Sequence, residues 1–192
     1  MIKAELRPVD AGDRDRLLIW RNSPQVAAFM YSDHLITREE HDRWFDGLAG
    51  NPRRRDWIVQ LDGAPVGLTS LVDIDFAQGR GTIARYIAQE GARGLGLGGF
   101  AEFKIADHAF GPLGLRKLWS EVLATNQAAL ASHLSSGFQQ EALLRAHVVK
   151  QNRPTDVIGL GLLAEEWRDR RESARSRLLA KGFSDTSLSA SL

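Results

Sequence analysis

Apolar and polar residues alternate from Ile2 to Val9, with Ile2, Ala4 and Leu6 set against Lys3, Glu5 and Arg7, which predicts an opening β-strand. Over 10–22 the period lengthens to that of a helix, with Leu17, Leu18 and Trp20 on the repeat. Ser23-Pro24 then gives an N-cap followed by proline at the first helical position, so a second short helix is expected there. Thr37-x-x-Glu40 reads as a capping box opening a third helix through Trp44, Phe45 and Leu48, which Asn51-Pro52 ends. From 56 the period shortens to two. Segments 56–61 and 65–74 read as strands joined by Asp62-Gly63, a hairpin signal, and 82–88 as a third strand after Gln78-Gly79. A glycine-rich loop over 91–99 leads into a helix over 98–110 that breaks at Gly111-Pro112. A strand over 115–124, a helix over 126–136 closed by Gly137, strands over 143–149 and 157–163, and a charged helix over 164–181 complete the order.

A meander of antiparallel strands running into a βαβ unit predicts an α/β (α+β) fold, with a mixed, mostly antiparallel sheet and helices on both faces. At 192 residues the chain fits one domain. The expected division is a domain over 1–164, a charged C-terminal helix over 165–183, and a Ser-rich flexible tail over 184–192 read as frayed. Twenty-five Lys+Arg against 24 Asp+Glu leave a net charge of +1, which argues against a general nucleic-acid binder. The absence of cysteine excludes a disulfide framework, a Cys nucleophile and a thiolate metal site. No apolar run approaches the roughly 20 residues that span a bilayer, and the first residues lack the apolar core of a secretory signal, so no membrane partner and a cytoplasmic location are expected. His34, His108 and His147 have no ligand-like spacing, and no metal is assigned. Arg168, Arg170, Arg171, Arg175 and Arg177 alternate with Glu165, Glu166, Asp169 and Glu172, which predicts a solvated helix laced with ion pairs, or a homodimer contact.

The segment Arg93-Gly94-Leu95-Gly96-Leu97-Gly98-Gly99 sits between a strand and a helix start. Glycine lets ligand atoms approach the backbone closely, and free N–H groups at a helix N-terminus favour an anion such as pyrophosphate. Gly94, Gly96 and Gly99 satisfy the dinucleotide pattern G-x-G-x-x-G, with Glu121 as the acidic residue downstream. Against that reading, five residues separate the glycines from the strand, and three antiparallel strands precede it. No Gly-Lys-Ser/Thr follows, so a P-loop is excluded. The bland alternative is a glycine turn without a ligand.

Arg93-x-x-Gly96-x-Gly98 resembles the acyl-CoA loop of the GNAT superfamily of N-acetyltransferases, and Val122-Leu123-Ala124-Thr125-Asn126, Ala129 and Gly137-Phe138 resemble that family's strand–Asn–helix–Gly-Phe segment. The resemblance implies a single-domain GNAT fold and acetyl-CoA as co-substrate. Trp20-Arg21-Asn22, Val26, Met30-Tyr31, Glu40-His41 and Trp44-Phe45 are similar to the N-acetyltransferases of the pseudaminic acid pathway, which acetylate the 4-amino group of a UDP-linked dideoxy amino sugar for flagellin glycosylation. They also look, less closely, like ribosomal-protein N-terminal acetyltransferases. A peptide N-terminus, a non-catalytic acyl-CoA-binding module and a dinucleotide-binding oxidoreductase remain as rivals.

On this resemblance the N–H groups of Gly94, Leu95, Gly96, Leu97, Gly98 and Gly99 cradle the pyrophosphate, and Arg93 adds charge. Backbone at Ile87 and Ala88 lines the thioester and supplies an oxyanion donor, and Asn126 belongs to the same cofactor site. Glu121 is the expected base, its other reading being an exposed strand-face carboxylate. The family's usual Tyr acid is here His133, a departure; an imidazolium can donate to the thiolate, or the ring only hydrogen-bonds. Arg21, Met30, Tyr31, His41 and Trp44 are carried over as the UDP-amino-sugar wall, against the reading that each simply packs.

Overall fold

The opening alternation becomes β1 (Ala4–Pro8) in the computed structural model, which describes all 192 residues. A turn capped by Asp10 leads into α1 (Arg14–Asn22), and Pro24 opens α2 (Pro24–Ala27). The box at Thr37 starts α3 (Arg38–Asp46): Glu40 N–H donates to Thr37 Oγ1 at 3.2 Å and Thr37 N–H to Glu40 Oε2 at 2.8 Å. β2 (Arg55–Leu61) and β3 (Ala64–Asp75) turn through Asp62 and Gly63 at φ 50° and 79°, the paired positive φ of a type I′ hairpin. Then follow β4 (Arg80–Ile87), α4 (Leu97–Phe110), β5 (Lys117–Leu123), α5 (Gln127–Ser135), β6 (Gln139–Lys150), β7 (Arg153–Leu163) and α6 (Ala164–Ala180).

Three expectations change. β6 and β7 are longer than the sequence pattern predicts, because Gln151 and Asn152 at φ 49° and 60° form a type I′ turn without the glycine that usually signals one. The tail over 184–192 is not frayed throughout. Ser184 caps a short α7 (Asp185–Ser189), whose Leu188 is buried in the core. Ser184 N–H donates to Ile2 O at 3.0 Å, and Lys104 donates to the carbonyls of Leu188 and Ala190. Nor is α6 wholly solvated, since Trp167, Ala174 and Leu178 form a buried stripe.

The sheet runs β1-β2-β3-β4-β5-β7-β6, antiparallel at every pair except β4–β5. Alternation divides the side chains between two layers. Trp57 and Val59 join the larger core with Phe100, Phe103, Trp167 and Leu178, whereas Ile58 between them packs with Leu17, Trp20, Val26 and Phe45. Thus α4 and α6 cover one face, and α1 to α3 the other. The parallel pair is the feature that makes room for a site: β4 and β5 match only from Arg80↔Lys117 to Thr82↔Trp119, and the rest of each strand is unpaired with the other.

Candidate active site

Where β4 and β5 part, a cleft of about 1260 Å³ opens between the glycine loop, the two strand ends and the first three helices. The end beside the glycine loop is built by backbone. Gly94 and Gly96 adopt φ +77° and +87°, a region glycine enters without strain. The first bond of α4 is Phe100 N–H to Gly96 O at 3.0 Å, and none of the N–H groups of residues 94–99 has an acceptor within the chain. A Cβ on Gly99 would meet nothing within 4 Å, so this turn faces open space. Six free donors at a helix start suit a diphosphate. Leu97 differs from the rest of the loop in that its side chain is buried in the core, so only its amide is offered. Arg93 does not reach outward as expected. Its Nε and Nη2 both donate to Ile87 O, at 3.1 and 3.0 Å, and so tie the loop to the end of β4. Asn126 likewise serves the fold, its Oδ1 accepting from Ala129 N–H at 3.2 Å to cap α5.

At the strand end the two expected backbone donors differ. Ala88 N–H is already committed to Val66 O at 2.8 Å, which removes it as an oxyanion donor. Hydrogen bonds along an antiparallel strand alternate between its two edges. Ile87 therefore presents its N–H toward β5, where pairing has ceased beyond Thr82.

Beneath this point lies a buried cluster that the sequence reading did not assemble. His133, 4% exposed, hydrogen-bonds Ser120 Oγ through Nε2 at 3.2 Å. Its Nδ1 is 2.6 Å from Glu102 Oε1, a close contact outside hydrogen-bond geometry. Arg85 Nε donates to the same Glu102 oxygen at 3.1 Å, Arg85 Nη2 reaches Ser132 Oγ at 2.9 Å, and Ser136 donates to Glu102 Oε2. Burial alone would raise the Glu102 carboxyl, but the charge of Arg85, the close approach of His133 and the bond from Ser136 outweigh it and hold it down at about 2. Glu102 lies within the apolar run Phe100-Ala101-Glu102-Phe103, and a lone carboxylate in such a run is itself a signal of a buried pair.

The other end is walled by α1, α3 and the loop over 28–36. Glu121 is exposed and oriented by two donors, Tyr31 Oη at 2.6 Å and Trp119 Nε1 at 3.1 Å. Burial and the bond to Glu121 push the Tyr31 phenol well above its ordinary range, so it stays protonated and donating. Arg21 Nη2 donates to Ser32 Oγ at 2.7 Å, while its Nη1 is buried without a partner. Burial draws this guanidinium below the usual arginine range. Met30 and Trp44 line the cleft, and Arg54 lies over the Trp44 ring at 5.2 Å while paired with Asp56. His41 also lines the cleft but is 3% exposed and bonded through Nε2 to Arg14 O at 2.7 Å, an anchoring contact between α3 and α1.

A family model described as an acetyltransferase (GNAT) domain matches residues 3–139. The spermidine N(1)-acetyltransferase of Escherichia coli (strain K12) is 26% identical over 140 residues, which cover 73% of this chain and 75% of that protein. A crystal structure of spermidine N-acetyltransferase from Vibrio cholerae in complex with CoA and spermine superposes with a TM-score of 0.80 at 19% identity, covering 86% of this chain and 98% of that one. A dodecameric structure of the Vibrio cholerae enzyme gives 0.75 at 19% identity, covering 87% and 97%. These relatives are named as polyamine enzymes, not as the sugar-nucleotide enzymes that the N-terminal motifs resemble.

Proposed function

Because the chain belongs to the GNAT acetyltransferase family and is an acetyl-CoA-dependent N-acetyltransferase, we propose that its acceptor is a primary amine on an anionic, ring-bearing molecule. The 4-amino group of a UDP-linked dideoxy sugar is the candidate that the N-terminal motifs imply. The carrying observation is Arg21, which lines the acceptor side of the cleft with its Nη1 buried and without a partner. Glu121 is held by Tyr31 and Trp119, Glu40 caps α3, and Arg54 pairs with Asp56. An unsatisfied buried cation calls for an anion. Trp44 and Tyr31 offer flat faces for a base or sugar ring.

The bound thioester supplies the acetyl group. Glu121 takes the proton of the attacking amine, its carboxylate kept in place by the two donors. Ile87 N–H donates to the acyl oxygen, where one such bond is worth about 3–4 kcal/mol as charge develops. His133 returns a proton to the departing sulfur through Ser120 Oγ, which lines the cleft beside it. Glu102 stands against the other side of the His133 ring, 2.6 Å from Nδ1.

A polyamine acceptor is the second reading, favoured by the names of the relatives and by Glu121 and Glu40 on the same wall. Against it, a polycation would meet the unpaired Arg21. The test is release of free CoA from acetyl-CoA with a UDP-4-amino sugar, spermidine or an N-terminal peptide as acceptor, on the wild type and Arg21→Ala. Turnover of the nucleotide sugar is expected, with Arg21→Ala raising its KM about 10- to 100-fold, the size of a lost charged hydrogen bond. Turnover of spermidine alone, unhindered or faster in Arg21→Ala, would overturn the proposal.

A further inference from the structure

The C-terminal helix lies outside the residues matched by the family model, yet it forms part of the cleft wall through Trp167, Ala174, Arg177, Leu178 and Lys181. Its cations fall into two groups. Off the cleft, Arg171 bonds Asp107 at 2.8 Å and Arg175 bonds Asp185, while Arg168 and Arg170 are exposed at the surface. The two that line the cleft, Arg177 and Lys181, one turn apart, make no salt bridge. Arg177 is steadied by neutral groups, its Nη1 donating to Ser173 Oγ at 2.9 Å and its Nη2 to Ser135 O at 3.1 Å. Lys181 lies against the glycine loop. A Cβ built on Gly96 would stand 3.2 Å from Lys181 Cδ and 3.7 Å from its Nζ.

The backbone beneath Lys181 is fixed. Phe183 N–H donates to Leu178 O at 3.1 Å and Gly182 N–H to Leu179 O at 2.9 Å, with Gly182 at φ +94°, a Schellman motif that ends α6 at Lys181. Phe183 then stacks on Phe100 of α4 at 5.4 Å and 4°, and Ile2 N–H donates to Gly182 O at 2.7 Å. The end of α6 is thereby locked to the helix whose free amides form the phosphate cradle.

We propose that Arg177 and Lys181 form a cationic clamp on the phosphates of the acyl-CoA, beside the backbone cradle of residues 94–99. The inference rests on the acyl-CoA reading of the cleft. Backbone amides carry only partial charge, and two unpaired cations beside them add the full charges that a polyanion selects. Both the diphosphate and the 3′-phosphate of CoA present this chemistry.

The test is isothermal titration of CoA and of 3′-dephospho-CoA into the full chain, its Lys181→Gln and Lys181→Arg variants, Arg177→Gln/Lys181→Gln, and Arg175→Gln as a control on the paired face. Lys181→Gln is expected to weaken CoA about 5- to 10-fold and the double variant about 30-fold or more. Both losses should shrink at high salt, as exposed charge interactions do. Lys181→Arg should retain binding, and Arg175→Gln should match the wild type. A loss that disappears with 3′-dephospho-CoA locates the clamp on the 3′-phosphate; one that persists locates it on the diphosphate. Wild-type affinity in Lys181→Gln and the double variant for both ligands would overturn the clamp. Failure of the wild type itself to bind CoA would instead overturn the acyl-CoA reading. If the double variant does not fold, the Lys181→Gln and Lys181→Arg pair decides.

Discussion

Replacing Glu102 by Gln keeps the shape of the side chain and removes its charge, leaving Arg85 and His133 without the carboxylate both contact. Two independent routes give the size of the effect. The Glu102 carboxyl is held at about 2 against an ordinary 4.5, and at 1.36 kcal/mol per unit this amounts to about 3 kcal/mol favouring the ionised form in the fold. Breaking a buried pair by removing one partner generally costs about 3–5 kcal/mol. Each kcal/mol lowers Tm by roughly 2–4 °C in a chain this long, so Glu102→Gln should melt roughly 6–20 °C below wild type at pH 7. Because the folded value is depressed, the stabilisation is complete above pH 4.5 and fades as pH falls toward 2. Urea denaturation across that interval should therefore show the wild type converging on the variant. The double change Arg85→Met with Glu102→Gln should recover much of the loss, since it removes the stranded cation. A single variant within about 1 kcal/mol of wild type at pH 7, with the same pH slope, would refute the claim that this carboxylate is charged and energetically engaged.

Two further outcomes are expected. Glu121→Gln preserves the bonding shape but cannot take a proton, so kcat should fall at least about 100-fold with little change in KM for acetyl-CoA; a kcat within a few-fold of wild type would remove Glu121 as base. Gly99→Ala sits in the first turn of α4 with open space around its Cβ, so it should stabilise the free protein by roughly 0.4–1 kcal/mol in urea. The same methyl stands where a diphosphate would approach, so titrated CoA should bind roughly tenfold or more weakly; unchanged binding would place the phosphates elsewhere.

Features governed by neighbours within a few residues could be read from the chain alone. The Thr37–Glu40 box, the Asp62-Gly63 turn and Pro24 at a helix start each act locally, and each stands where its chemistry predicts. The glycine loop was legible for the same reason. The Gln151-Asn152 turn was not, because its positive φ values are imposed by the twist of the strands it joins. The Glu102 cluster draws on α4, β4, β5 and α5, and no local pattern reports such a meeting. Leu188 looks like an isolated apolar residue in a serine-rich tail, and only the surface between β1 and α4 gives it a place to bury. Arg93 and Asn126 show a further limit. A motif marks their positions, but their side chains are spent on Ile87 O and on the cap of α5.

Lys150, at the far end of β6, reaches across to donate to Ala27 O at 3.2 Å and pairs with Asp33, and Gln151 N–H donates to Asp33 Oδ2 at 2.6 Å. The strap that carries Tyr31 is thus tethered by residues synthesised more than a hundred positions later. During translation the first three helices can gather well before their partner for the amine exists in finished form. Both ends of the cleft are therefore completed by late-made residues, since Lys181 and Phe183 pack against Gly96 of the glycine loop just as Lys150 and Gln151 hold the strap.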